Sequence, residues 1–214
     1  MKPAIYPYQY NDICAQIQRL KNVYRSVNDI ETMRIVQVDT RDTILNAFTE
    51  TDAQLLETVE RLMNIRLSQM QVDDILTTLR SYVIPFELPS QKSMEKTFRK
   101  VKKIKFPTVE AASLYTHSFI GWNDLASNRK YMMYYDTQGQ LQGFYGDLSN
   151  QVVKGFCSIC QKESNVALFM KKTNSASEGR YTKKGDYICH DSIRCNEQLT
   201  DIADFYAFIN KLAR

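Results

Sequence analysis

Four cysteines, Cys157, Cys160, Cys189 and Cys195, fall at C-x2-C-x28-C-x5-C spacing, and this pattern narrows what the chain can be more than any other feature. Two residues between the first pair let a tight turn aim both sulfurs at one point, where backbone N–H groups of the turn can support thiolates. Four thiolates complete a tetrahedral shell around Zn2+ and leave no position for a reactive water. The spacing therefore predicts one structural Zn2+ in a lobe spanning residues 157–195. Four thiolates exceed the charge of the divalent ion by two. Lys154, Lys162, Lys183, Lys184 and Arg194 are the neighbouring cations expected to offset the difference. Two other readings of the spacing are unrelated buried thiols and a C-x2-C redox pair; the latter lacks a βαβ setting and leaves Cys189 and Cys195 unexplained. His190 adjoins Cys189, but neighbouring side chains rarely face the same point. A lobe this small has little core of its own, so metal binding should contribute to its folding. The fifth cysteine, Cys14, makes the total odd and reads as a small buried apolar residue in a helix.

The chain has 214 residues, enough for two modest domains. Its first part reads as helices. Ile13, Ile17, Leu20, Tyr24 and Val27 recur at steps of four and three, one face of an α-helix. A second helix is expected through Ile35, Val38, Leu45 and Phe48, a third through Leu55, Val59 and Leu62, and a fourth through Val72, Ile75, Leu79 and Tyr82. Capping signals precede the last three, at Asn28-Asp29, Thr51-Asp52 and Ser68-Gln69-Met70-Gln71. Four such helices with short connections fit an antiparallel bundle over residues 1–84. Pro85-Phe86-Glu87-Leu88-Pro89 breaks the pattern, placing a hinge at 85–91. Beyond it the period changes. Ser90 can cap a short helix through Met94, Phe98 and Val101. Strands are expected at Phe119–Trp122, at Arg129–Asp136 and Gln140–Tyr145 around Thr137-Gln138-Gly139, at Gln151–Phe156, and at Val166–Met170, with a final helix through Ile202, Phe205, Phe208, Ile209 and Leu212. The fold class is thus α+β: a helical bundle followed by a mixed α/β domain over 92–214 that contains the four-cysteine lobe.

Charge divides along the same line. Residues 1–89 carry a net −3 and residues 90–214 a net +7, so the second part should seek an acidic surface. Lys92, Lys96, Arg99, Lys100, Lys102, Lys103 and Lys105 crowd residues 92–105, opposed only by Glu95. Such a run is either a solvated helix face or a contact for phosphates, and it motivates a reading as a zinc-ribbon protein that binds ribosomal RNA. The only histidines, His117 and His190, form no triad with a Ser or Cys, and no Asp or Glu pair suits acid/base work, so no catalytic residue and no small-molecule substrate is predicted. A thiol enzyme would need a free cysteine of low pKa. No apolar run reaches the roughly 20 residues of a membrane span, and Met1-Lys2-Pro3-Ala4 opens no apolar leader, so a cytoplasmic protein with no membrane contact is expected. Phe156, Tyr187 and Phe208 lie on or near the cysteine lobe, where aromatics either pack inward or stand out as binding anchors.

Several strings resemble the FusB-type fusidic acid resistance proteins. They include Leu20-Lys21-Asn22-Val23-Tyr24, Pro85-Phe86-Glu87-Leu88-Pro89, Ala126-Ser127-Asn128-Arg129-Lys130-Tyr131, Ser149-Asn150-Gln151-Val152-Val153-Lys154-Gly155-Phe156-Cys157 and Lys183-Lys184-Gly185-Asp186-Tyr187-Ile188-Cys189. The resemblance runs over nearly the whole chain and is least in residues 32–60 and 108–118. It implies a helical N-terminal domain and a C-terminal domain with a four-cysteine zinc site. It also implies a binding partner, elongation factor G, which the protein would help to release from the ribosome when fusidic acid traps it there. The family's contact positions fall here on Phe156, Lys184, Tyr187 and Phe208. On Phe208 the spacing adds that Phe205, Ile209 and Leu212 should form the core stripe, leaving Phe208 at its border with an exposed edge.

Overall fold

Helix α1 (Pro7–Ser26) shows how the sequence builds the first part of the molecule: its buried residues Tyr10, Ile13, Ile17 and Leu20 repeat at three and four, so one stripe faces inward. The computed structural model describes residues 5–101, 103–173 and 182–213. Met1 to Ala4 and Lys102 lie outside them. Helices α2 (Ile30–Asn46), α3 (Ala53–Leu62) and α4 (Gln69–Leu79) follow, and each packs on the one before it through a short connection that reverses the chain. Side chains start these helices where the sequence places caps. Asp29 accepts from Thr32 N, Asp52 from Leu55 N, and Ser68 and Gln71 form a reciprocal capping box. A 3-10 turn, Arg80–Tyr82, then brings the chain back to its start, where Ile5 N donates to Tyr82 O and Ile84 N to Ile5 O.

Helix α2 departs from expectation. Ile35 and Val38 are 68% and 51% exposed, and the buried residues of this helix are Thr40 and Ile44. The helix carries apolar residues on two faces, and the bundle uses the one on which Gln37 can donate to Met63 O.

The chain divides into two compact units, Met1–Pro85 and Phe86–Arg214. The second begins with Phe86 already packed in its core beside Phe98, Ile120, Tyr131 and Met133, while Glu87 O accepts from the Tyr135 hydroxyl. After helix α5 (Gln91–Thr97), capped by Ser90, and a 3-10 turn at Ala111–Tyr115, five strands pair antiparallel in sequence order. They are β1 (Ile120–Asp124), β2 (Arg129–Tyr135), β3 (Leu141–Phe156), β4 (Glu163–Thr173) and β5 (Thr182–Cys189). The turn between β2 and β3 uses Gly139 at φ +73°, a conformation that costs an L side chain steric strain, and Asp136 Oδ1 accepts from Gln138 N and Gln140 N.

The two strands expected at Gln140–Tyr145 and Gln151–Phe156 are one strand of 16 residues, bent by an irregularity in register between Leu148 and Val152. One sheet face carries the cluster around Phe98, Trp122 and Tyr131. The other meets helix α7 (Ile202–Ala213), where Phe205 stacks on Phe119 at 4.8 Å and Phe208 approaches Phe169 at 6.2 Å. Helix α6 (Ser192–Gln198) closes the cysteine lobe. Among the described residues, no helix is long and apolar enough to cross a membrane.

Candidate metal centre

The four cysteines converge. Cys157 ends the reach of β3, Cys160 follows in the turn before β4, Cys189 ends β5, and Cys195 lies in the first turns of α6. All four sulfurs are buried and lie within 4.8 Å of one another. Cys157 Sγ is 3.8 Å from Cys195 Sγ, and Cys160 Sγ is 3.7 Å from Cys189 Sγ. A tetrahedral ion with bonds of about 2.3 Å separates its sulfurs by about 3.8 Å, so the donor set fits Zn2+ in chemistry and in size. The same separations are far beyond a disulfide bond of about 2.05 Å.

Local structure supports anionic sulfur. Ile159 N and Cys189 N both donate to Cys157 Sγ, at 3.3 and 3.2 Å. Hydrogen bonds from the thiols of Cys160, Cys189 and Cys195 pull the Cys157 pKa far down, and the bond to Cys157 pushes Cys160 and Cys195 far up. Against the raising bond to Cys157, the bonds to Cys160 and Cys195 pull Cys189 down, so the negative charge is divided unevenly among the four sulfurs; a divalent cation is what allows all four to ionise. Cys14 stands apart on α1, half-buried, with its thiol pushed up to about 11 by desolvation. That is the behaviour of a packed thiol and not of a nucleophile.

The frame around the cluster is rigid. Asp191 caps α6 by accepting from Ile193 N and Arg194 N. Asn196 is fully buried; its side chain accepts from Ser118 N and Phe119 N and donates to Phe119 O and Ser192 O, tying α6 to the approach to β1. At Gly121 an added Cβ would lie 2.5 Å from Ser192 Oγ, so β1 and α6 touch closely only because no side chain intervenes. His190 is not one of the converging groups. Its ring meets Asn123, and its carbonyl accepts from Asn123 Nδ2 and from Lys130 Nζ.

The cations proposed from sequence proximity do not enclose the sulfurs. Lys154, Lys162, Lys183 and Arg194 are exposed; Lys183 pairs with Asp147 and Arg194 with Glu197. Lys184 is half-buried and lines a shallow hollow with Ala207, Asn210 and Lys211. The buried cation is Lys130 in β2, pulled down to about 8 by desolvation against the raising influence of Cys195, Cys189, Asp191 and Cys157. Sequence reasoning passed over it because it lies 27 residues before Cys157. A signal existed: in β2, Arg129-Lys130 directly precedes the apolar run Tyr131-Met132-Met133, and a lysine bordering a core strand calls for an anionic partner.

The other positions of interest are placed as follows. Phe156, the last residue of β3, is 72% exposed, and Tyr187 in β5 is 45% exposed. Ser158 N donates to Tyr187 O, which ties the Cys157–Cys160 turn to this tyrosine. Phe208 is only 3% exposed. The core stripe of α7 runs Phe205, Phe208, Leu212, with Ile209 half-buried, the reverse of the spacing argument; the Phe169 ring occupies the side toward which Phe208 turns. Strand alternation puts Lys184 on the sheet face that carries α7 and Tyr187 on the opposite face. Among the described residues, neither Phe156 nor Tyr187 meets another ring.

Comparisons agree with this arrangement. Residues 4–87 match the family model described as elongation factor G-binding protein, N-terminal, and residues 91–205 match the FBP C-terminal treble-clef zinc-finger. A treble clef joins a cysteine turn, a pair of strands and a helix at one metal, which is the order found here in Cys157–Cys160, β4 with β5, and α6. No curated protein matches the chain. A solved structure described as the fusidic acid resistance protein FusC is similar at a TM-score of 0.91 and 37% identity, covering 98% of each chain. With both parts matched in order and that likeness extending end to end, the chain belongs to the FusB-type family of fusidic acid resistance, elongation factor G-binding proteins, whose members work by binding and not by catalysis.

Proposed function

We propose that this protein binds elongation factor G through its second unit and promotes the factor's departure from the ribosome, so that translation escapes fusidic acid. The observation that carries the reading is the pair of exposed aromatics, Phe156 and Tyr187, each beside a cysteine of the metal cage. A small zinc-bound lobe cannot bury such rings, and rigid aromatics held out of a fixed frame are what an interface uses as anchors. Lys184 adds a cation for an acidic partner. Phe208 contributes from below: packed on Phe169, it fixes α7 against the strands that present Lys184. One zinc ion held by Cys157, Cys160, Cys189 and Cys195 supplies the frame and no reaction step. The two units act as separate domains whose sequence boundary falls between Pro85 and Phe86, at the start of the expected 85–91 hinge. The site of action is the cytoplasm, where the factor and the ribosome meet, and fusidic acid itself stays unaltered.

Release requires differential affinity. A binder that holds the ribosome-trapped and free forms of the factor equally shifts nothing; one that prefers the departing form shifts the balance by the ratio of the two affinities. The test is titration of purified elongation factor G with the wild-type protein and with Phe156→Ala and Tyr187→Ala, alongside thermal unfolding of each. Each truncation should weaken binding by about 1–3 kcal/mol with the unfolding temperature unchanged. Wild-type affinity in both folded variants would move the interface elsewhere.

One observation favours a second reading. Arg99 and Lys100 of the basic run border a cleft of about 530 Å3 together with Arg129, Lys171 and Lys172. Its acid, Asp147, is paired with Lys183. Such a cleft suits the phosphates of ribosomal RNA, which the protein would touch while reaching the factor. Binding there would fall steeply with salt, at a log–log slope of roughly −0.7 to −0.9 per phosphate neutralised. Binding anchored by Phe156 and Tyr187 would not.

A further inference from the structure

Lys130 is the only lysine or arginine among the buried residues described, at 1% exposure. It stands opposite Asn123 in the β1–β2 pairing, so the sheet itself fixes where both side chains go. Its Nζ donates to Asn123 Oδ1 at 3.0 Å and to His190 O at 2.9 Å, and Asn123 Nδ2 donates to the same carbonyl at 3.0 Å. Among the described residues, no carboxylate comes within 4 Å of it. An ammonium taken out of water without a carboxylate partner is costly to hold, and among the described residues its three N–H groups find two acceptors. Something must compensate. The carbonyl it grips belongs to the residue directly after Cys189, so one peptide separates the ammonium's hydrogen bond from a cysteine of the metal cage.

We propose that Lys130 is the resident counter-cation of the metal centre, a positioning residue that offsets the excess negative charge of the four metal-bound thiolates and fastens the peptide after Cys189 to β1 and β2. The inference rests on the zinc reading above. Four thiolates on a divalent ion leave two negative charges in a buried place. A fixed ammonium there lowers the electron density on the sulfurs and favours the loaded state over the empty one. Surface lysines cannot substitute, because water screens them. The arrangement also explains why a costly group is kept in a sheet where methionine or leucine would pack: its cost is met only when the metal is present.

Zinc affinity is measured by competition with a chelator, and the sulfur-to-metal charge-transfer band is recorded on protein loaded with cobalt, for the wild type and four variants. Lys130→Gln keeps hydrogen bonding and removes the charge. Asn123→Asp leaves Lys130 in place but gives the ammonium a carboxylate partner. Lys130→Arg retains the charge, and Lys154→Gln removes an exposed cation as a control. Losing the charge, or diverting it, should weaken zinc binding about 10- to 100-fold, the range found when a group supporting metal ligands is removed. It should also move the cobalt band to lower energy, as more electron-rich sulfur requires. Lys130→Arg should restore much of both, and Lys154→Gln should change neither. Should Lys130→Gln not fold, Asn123→Asp carries the test alone. Unchanged affinity and band position in the uncharged or diverted variants, with or without a lower unfolding temperature, would overturn the inference. A wild-type protein that takes up no metal would instead overturn the zinc reading beneath it.

Discussion

The two units solve the same problem with different materials. The helical unit, Met1–Pro85, buries Ile13, Ile17, Leu20, Leu55, Val59, Ile75 and Leu79, and among its described residues the buried polar side chains are the uncharged Asn11, Thr40 and Thr58. The second unit buries four cysteines, a lysine, a histidine and Asn196. One is held by apolar stripes that close on each other; the other sets a four-cysteine polar centre beside the aromatic clusters on its two sheet faces. Stripping the proposed zinc from that centre offers the sharpest contrast between them. Chelation, or Cys157→Ser, should collapse hydrogen-exchange protection in β4, β5 and α6 while α1 to α4 keep theirs. The apparent free energy of a structural zinc site, of order 10 kcal/mol, makes this the largest effect expected. Loss of protection in both units together would mean that the helical unit has no stability of its own.

The reverse contrast comes from the apolar side. Ile17 is buried in α1, and Ile35 is 68% exposed on α2. Ile17→Ala should destabilise the helical unit by about 2–5 kcal/mol in chemical denaturation and leave zinc content unchanged. Ile35→Ala should stay within about 0.5 kcal/mol of the wild type. Equal losses at the two positions would show that the outer face of α2 is covered in solution.

These cases show where the sequence could be read and where it could not. The cysteine cluster was legible because ligand type and spacing are local and chemically specific. The helices were legible in number and in their caps, since a cap needs only three or four consecutive residues. Choosing the buried face of α2 was not possible from one helix: Ile35 and Val38 share a plausible stripe, and the partner that rejects it, α3 with Met63, is defined only once the bundle is assembled. Strand β5 escaped notice because Thr182-Lys183-Lys184-Gly185 has no apolar alternation. As the sheet's edge it carries lysines that discourage further pairing, and Gly185 is required there because a Cβ would lie 1.7 Å from Phe169 O. Helix α6 is only seven residues long, too short for a periodic signal. The inward turn of Phe208 depends on contacts between distant elements, which no spacing rule reports, and the signal at Lys130 names no partner until β1 and His190 are in place.

The smallest difference between the units lies in how they respond to acid. Asp52 caps α3: its carboxylate accepts from Leu55 N at 2.7 Å and from the Tyr82 hydroxyl at 3.0 Å. The hydrogen bond from Leu55 N, then that from Tyr82, holds its pKa below the usual 3.8, while burial and the bond to Asp52 push Tyr82 up to about 12. A carboxyl whose folded pKa is depressed stabilises the fold at every pH above its unfolded value of about 3.9. That contribution is lost as the pH falls through the lower, folded value. The bond links α3 to the turn that follows α4, so its loss should loosen the helical unit's closure without touching the metal centre. In an acid titration followed by amide resonances, Leu55 N–H should shift with a midpoint below 3.8. Asp52→Asn keeps a capping oxygen and cannot ionise, so the shift should vanish while α3 remains formed. Acid also strips zinc by protonating thiolates, and it should do so at a pH where Leu55 has not yet moved, because thiolate ligands gain protons well above the carboxylate range. A Leu55 shift that tracks zinc release would tie the cap to the metal centre and erase the distinction between a unit closed by packing and one closed by charge.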